Sequence, residues 1–133
     1  MEPYLNVTRE NKVQIKYGKA DDWFNTYTGF RLLDHLDPSK PEHSQYRAPR
    51  HLIGIDPLGR LIEFASEGRN AQGEGLTLME GWEILQSFGA VVGMDGDSGG
   101  SVSQVVGGEL QTLPSDLTGE RLVPVVFLIH EEI

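Results

Sequence analysis

Cysteine is absent from this chain of 133 residues. Disulfides, thiol nucleophiles and cysteine-ligated zinc are therefore excluded, and nothing points to an oxidising compartment. Long apolar runs are missing too, since no window approaches the ~20 apolar residues of a membrane span. The N-terminal stretch MEPYLNVTRENKVQ has no basic segment followed by an apolar one. The expectation is a soluble chain without an evident signal peptide or anchor, its compartment left open between cytoplasm, virion and secretion after processing. Positive charge is scarce: 11 Lys and Arg stand against 20 Asp and Glu, a net charge of -9. Sequence-independent binding to nucleic acid or anionic membrane works by neutralising phosphates with Lys and Arg, so neither is an expected partner. There are no internal repeats or low-complexity tracts. The length fits one domain, large enough to bury roughly 68% of its unfolded surface.

What is present reads as strands, one helix, and more strands. Lys12 to Tyr17, KVQIKY, alternates apolar and polar residues as a half-buried strand does. Gly18 to Pro49 is rich in Asp, Pro, Ser, Thr and His and carries Trp23, Phe24, Tyr27 and Phe30. It reads as a long loop whose aromatics are a candidate sugar platform. His51 to Ile55 and Leu61 to Ala65 form a hairpin around Pro57 and Gly59. Thr77 followed by Glu80 is a capping box, and Leu78, Trp82, Leu85 and Phe88 recur at helical spacing before Gly89, which predicts a helix over 78–88. AVVGM then reads as a buried strand, VSQVV and ELQTL as a hairpin about Gly107 and Gly108, and LVPVVFLIH as a closing strand. The fold class is α+β, a curved, mainly antiparallel sheet with one principal helix packed on it. Ile53, Ile55, Leu61, Trp82, Leu85, Val91, Val92, Val105, Val125, Phe127 and Ile129 are the expected core.

The run GDSGGS, Gly96 to Ser101, differs by one residue from the string around the serine of trypsin-like proteases. That chemistry needs a histidine base and an aspartate upstream, held by two barrels. The chain before Ser98 is too short for them, and the predicted helix falls where barrel strands belong. An EF-hand loop also fails, because Gly99 and Val106 stand where oxygen ligands are required. Asp95 and Asp97 remain a candidate divalent-cation pair.

Read with its neighbours, the same run resembles the phosphodiester glycosidase family. The family's corresponding string is GA-x-N-A-L-N-L-D-G-G-G-S, and GAVVGMDGDSGGS, Gly89 to Ser101, lies on it without a gap. This puts Asp97 on the motif aspartate and Ser101 on its serine, while Ser98 stands for a glycine, Asp95 for an asparagine and Gly96 for a leucine. PRHLIGID is similar to the family's arginine-led strand, GLTLMEGWEIL to its helix start, and LPSDLTGERLVPVVFLI to its closing segment. The resemblance spans Arg47 to His130 and is that of a shortened, divergent member. It implies hydrolysis of a sugar-1-phosphodiester linkage in a glycan or exopolysaccharide.

The residues themselves suit such a substrate, which needs a cradle for the phosphate, an acid or base at the glycosidic oxygen, and donors for hydroxyls. Asp97 is a candidate acid, base or nucleophile, with Asp95 near enough to perturb it and Ser101 as a further catalytic candidate. The N–H groups of Ser98, Gly99 and Gly100 are a candidate anion nest. Arg50, and secondarily Arg121, are candidate phosphate ligands, and Thr77 and Asp116 candidate hydroxyl partners. Each has a plainer reading: a turn for Asp97 and the glycines, a cap for Thr77, a turn for Asp116, paired arginines. Two functions therefore stay open. One is a hydrolase with a carbohydrate or sugar-phosphate ligand; the other is a non-catalytic glycan-binding or assembly protein, with homo-oligomerisation as an option for either.

Overall fold

The computed structural model describes residues 3–7, 13–17, 26–28, 30–31, 46–68, 74–123 and 127–129. Its centre is a four-stranded antiparallel sheet in the order β4-β7-β5-β6, formed by β4 (Phe30–Arg31), β5 (Arg50–Ile55), β6 (Leu61–Ser66) and β7 (Val92–Asp95). A second antiparallel sheet has the order β2-β1-β3, from β1 (Pro3–Val7), β2 (Val13–Tyr17) and β3 (Thr26–Thr28). With α1 (Leu78–Ser87), the one α-helix among the described residues, these make the expected α+β fold. No helix among the described residues is long and apolar enough to cross a membrane.

Strand β5 organises both cores because successive side chains leave it on opposite faces. Leu52 points toward α1, joining Leu78, Leu85 and Ala90, with Ile62, Phe64 and Trp82 packed at the margin. Ile53 and Ile55 point the other way, onto Leu5 of the second sheet and Met94, with Val13, Ile15, Leu61 and Phe127 around them. Helix and sheet approach closely at Gly81, where an added Cβ would stand 2.5 Å from Leu52 Cδ1. The β5–β6 hairpin is closed by Asp56, whose Oδ1 accepts from Leu58 N at 3.0 Å and Arg60 N at 2.8 Å and whose Oδ2 accepts from Arg60 Nε at 2.6 Å.

Thr77 and Glu80 form both halves of the capping box, and Gly89, at φ 100°, ends the helix in the left-handed region. The Gly107-Gly108 turn, with φ of 59° and 82°, joins β8 (Val105–Val106) to β9 (Glu109–Leu110) as a primed hairpin turn requires.

Several core assignments are corrected. Val91 and Val92 are exposed; among the described residues the β4–β7 pairing reaches only Asp95 and Met94. Val105 is exposed because its two-stranded ribbon has both faces open among the described residues. The apolar closing segment is not a strand at 121–123 or 127–129, and Leu122, Leu128 and Ile129 are exposed, whereas Phe127 packs inward. Val125 lies outside the described residues. Strand β1, unforeseen in the sequence, supplies the buried Leu5 and Tyr4.

Candidate functional site

The acidic glycine turn grows directly out of the central sheet. Asp95 stands opposite Leu52 in the β5–β7 ladder, so its side chain lies on the helix-facing side, where it is 3% exposed. Gly96 N donates to His51 O at 2.8 Å and extends that ladder by one step. Asp97 then turns outward into solvent, its Oδ1 accepting from Ser98 N at 3.0 Å. Gly99, at φ 69°, occupies a backbone region that favours glycine, and its N–H donates to Pro49 O at 3.1 Å. A single 3-10 turn, Gly99–Ser101, follows. Two of the three amides expected to form an anion nest are thus engaged within the protein: Ser98 with Asp97, and Gly99 with Pro49.

A second cluster meets this turn from the C-terminal side. Arg121 donates from Nε to Asp116 Oδ2 at 3.0 Å and from Nη2 to Asp116 Oδ1 at 3.2 Å, with Nη2 also 3.0 Å from Oδ2. Its Nη1 lies 3.4 Å from Ser101 Oγ. The tight turn that brings Arg121 back is held by Gly119 N donating to Asp116 O at 3.1 Å. Arg121 and Asp116 are about half and one-third exposed, so the pair sits at the surface rather than under it. Two hydroxyls, Ser98 Oγ and Ser115 Oγ, are buried without a hydrogen-bond partner.

The side chains of Arg50 and Thr77 are engaged at the helix entry. Arg50 is buried, donating from Nε to Leu76 O at 3.2 Å and from Nη2 to Tyr46 O, and so fastens the strand start to the helix entry. Thr77 caps α1: its Oγ1 accepts from Glu80 N at 3.1 Å while its N–H donates to Glu80 Oε2 at 3.2 Å. Arg47 closes the same junction on Glu80 at 2.6 and 3.0 Å and also donates to Gly75 O. The Arg47 guanidinium, and after it the Thr77 N–H, hold the Glu80 carboxyl below its usual value. Sequence spacing gave no sign of this hub, because Arg47 and Glu80 are 33 positions apart. Among the described residues no three His, Asp or Glu side chains gather as a metal site. Trp23 and Phe24 lie outside the described residues, as do the side chains of Tyr27 and Phe30.

A family model described as phosphodiester glycosidase matches residues 3–130. The chain belongs to the phosphodiester glycosidase family. Mouse N-acetylglucosamine-1-phosphodiester alpha-N-acetylglucosaminidase is 35% identical over 88 residues, covering 62% of this chain and 17% of the mouse protein. A solved structure from Burkholderia pseudomallei K96243, described as an exported protein, matches with TM-score 0.54 and 32% identity over 56% of this chain and 14% of that one. The catalytic domain of the zebrafish N-acetylglucosamine-1-phosphodiester enzyme shares the fold, with TM-score 0.65 and 19% identity over 86% of this chain and 45% of that one. This phosphodiester glycosidase chain therefore spans between about one-seventh and under half the length of these relatives. The family match reaches further upstream than the motifs, which begin at Arg47, and so takes in β1 to β4.

Proposed function

We propose that this phosphodiester glycosidase domain hydrolyses a sugar-1-phosphodiester of a glycan or exopolysaccharide, with Asp97 as the reacting carboxylate and Arg121 as the phosphate ligand. The observation that carries the reading is the convergence of Ser101, Asp116 and Arg121 on the glycine turn whose first exposed group is Asp97. Asp97 and Gly100 are three residues apart, so their Cα atoms lie within about 11 Å even if that chain were fully extended. Such a span suits a sugar phosphate.

The division of labour follows from the leaving group. Breaking the bond from the anomeric carbon to the bridging oxygen releases a phosphate monoester whose second pKa is about 6, a group that departs with little help from an acid. The demanding half of the reaction is at carbon, where water must be deprotonated or a carboxylate must attack. Asp97 is the exposed carboxylate of the turn and takes that half. Water oxygen ends on the anomeric carbon and its proton on the departing phosphate. The guanidinium of Arg121, held by Asp116 through Nε and Nη2, leaves the N–H groups of its Nη1 side for phosphate oxygens, a directional contact that an ammonium does not offer. The buried hydroxyls of Ser98, next to Asp97 in the chain, and Ser115, next to Asp116, are uncommitted polar groups. Arg50, engaged with backbone carbonyls, is a structural arginine in this reading.

One observation favours a second reading, a sugar-phosphate-binding protein without turnover. Asp95 is buried and Asp116 is committed to Arg121, so Asp97 stands without a second exposed carboxylate of the turn. Incubating the protein and its Asp97→Asn variant with a panel of sugar-1-phosphodiesters, with and without divalent cations, separates the two. Turnover lost in the variant supports the hydrolase, whereas saturable binding by both proteins without product selects the binding role.

A further inference from the structure

Gly100 is buried in the 3-10 turn, and its neighbours are not apolar: a Cβ built on it would overlap the Arg121 guanidinium and stand 2.5 Å from both carboxylate oxygens of Asp116. Contacts under 3.0 Å are not made by real Cβ atoms, so something must shift. Gly100 is not among the glycines with positive φ. A side chain here is therefore opposed by the space around it and not by the backbone, in contrast to Gly99, and what must give way is the tips of two flexible side chains, Arg121 and Asp116.

We infer that Gly100 is the positioning residue of the site: its bare Cα is the seat against which the Arg121–Asp116 pair lies, and that seat directs the third guanidinium nitrogen toward Ser101. The inference rests on the reading of Arg121 as the phosphate ligand. A pair this exposed has no core around it to fix its place. Two hydrogen bonds fix the guanidinium to Asp116, yet both side chains rotate freely about their stems unless something blocks one side. The turn does so. Nε and Nη2 are used by Asp116, so Nη1, 3.4 Å from Ser101 Oγ, is the donor left nearest the turn. Adding one methyl group would push the fork outward and break this alignment. A displacement of about 1 Å in a binding group is enough to cost on the order of a hundredfold in rate.

The decisive comparison uses the intact chain, Gly100→Ala, Arg121→Ala and the double variant. Two readouts are followed: the Arg121 Nε–H resonance, protected from exchange by Asp116, and kcat/KM for a sugar-1-phosphodiester. In Gly100→Ala the resonance should disappear or shift while far-ultraviolet circular dichroism is kept, and kcat/KM should fall at least tenfold. In the Arg121→Ala background, where Asp116 is free to swing away, adding Gly100→Ala should change kcat/KM less than twofold, because two residues acting through one contact are not additive. Equal losses in both backgrounds, or an unchanged resonance in Gly100→Ala, would overturn the inference. A wild-type protein that turns over no diester but whose resonance responds as described would overturn the hydrolase reading and support the seat.

Discussion

Arg121 and Asp116 are joined by two hydrogen bonds, 3.0 and 3.2 Å long, across a surface turn in which they stand five positions apart. A partly exposed pair of this kind contributes at most about 1 kcal/mol to folding. Conservative replacement should therefore separate binding from stability. Asp116→Asn is expected to lower kcat/KM at least tenfold, chiefly through KM, while the urea midpoint changes little. Steady-state kinetics beside urea unfolding on the same preparation check it.

Arg50 should behave in the opposite way. Its Nε and Nη2 donate to Leu76 O and Tyr46 O, and Arg50→Met removes both bonds, leaving acceptors in a partly buried junction. Unmade hydrogen bonds of buried groups cost about 1–3 kcal/mol each. The variant is expected to unfold at clearly lower urea with KM for the diester unchanged at a temperature where it is folded. An intact midpoint with a raised KM would return Arg50 to the ligand site.

The helix entry should be acid-sensitive in a defined direction. Arg47, and then the Thr77 N–H, depress the Glu80 pKa below the ordinary 4.5. A carboxylate whose folded pKa is lowered stabilises the fold above its unfolded value and loses that contribution as pH falls through the folded value. Glu80→Gln should accordingly be less stable than wild type at neutral pH, with the gap narrowing below pH 4.5. Thr77→Ala, which removes the cap itself, should cost about 1 kcal/mol. Thermal unfolding of both variants from pH 7 downward gives the comparison.

The two-sided burial of β5 predicts an uneven tolerance of apolar positions. Leu52→Ala, fully buried beneath α1, is expected to cost about 2–5 kcal/mol. Val91→Ser, at an exposed position, should stay within about 0.5 kcal/mol of wild type. Urea titration of the pair tests the placement of the core directly.

These contrasts also mark what could be read in the sequence. The capping box, the hairpin about Pro57 and the Gly107-Gly108 turn were legible because each depends on residues a few positions apart. Strand β1 was not, since Pro3 to Val7 carries little alternation and its pairing with both β2 and β3 is decided by distant partners. Val91 and Val105 misled for the reverse reason: an apolar run reports composition, and burial depends on whether another layer reaches it. At the site, the motif identified Asp97, Ser101, Asp116 and Arg121 as candidates, and the structure gathers the last three. Arg50 shared the charge and motif context of a phosphate ligand. Its bonds to the carbonyls of Tyr46 and Leu76, the latter 26 residues away, could not be read from the sequence.

The central claim is cleavage at the anomeric carbon, and isotope placement tests it most directly. The protein is incubated with a sugar-1-phosphodiester in water enriched in oxygen-18, and both products are analysed by mass spectrometry. Cleavage of the glycosidic bond predicts the heavy oxygen in the released sugar and none in the phosphate monoester, with both products absent for Asp97→Asn. Label in the phosphate, or no product from the folded wild-type protein across the diester panel, would contradict the account.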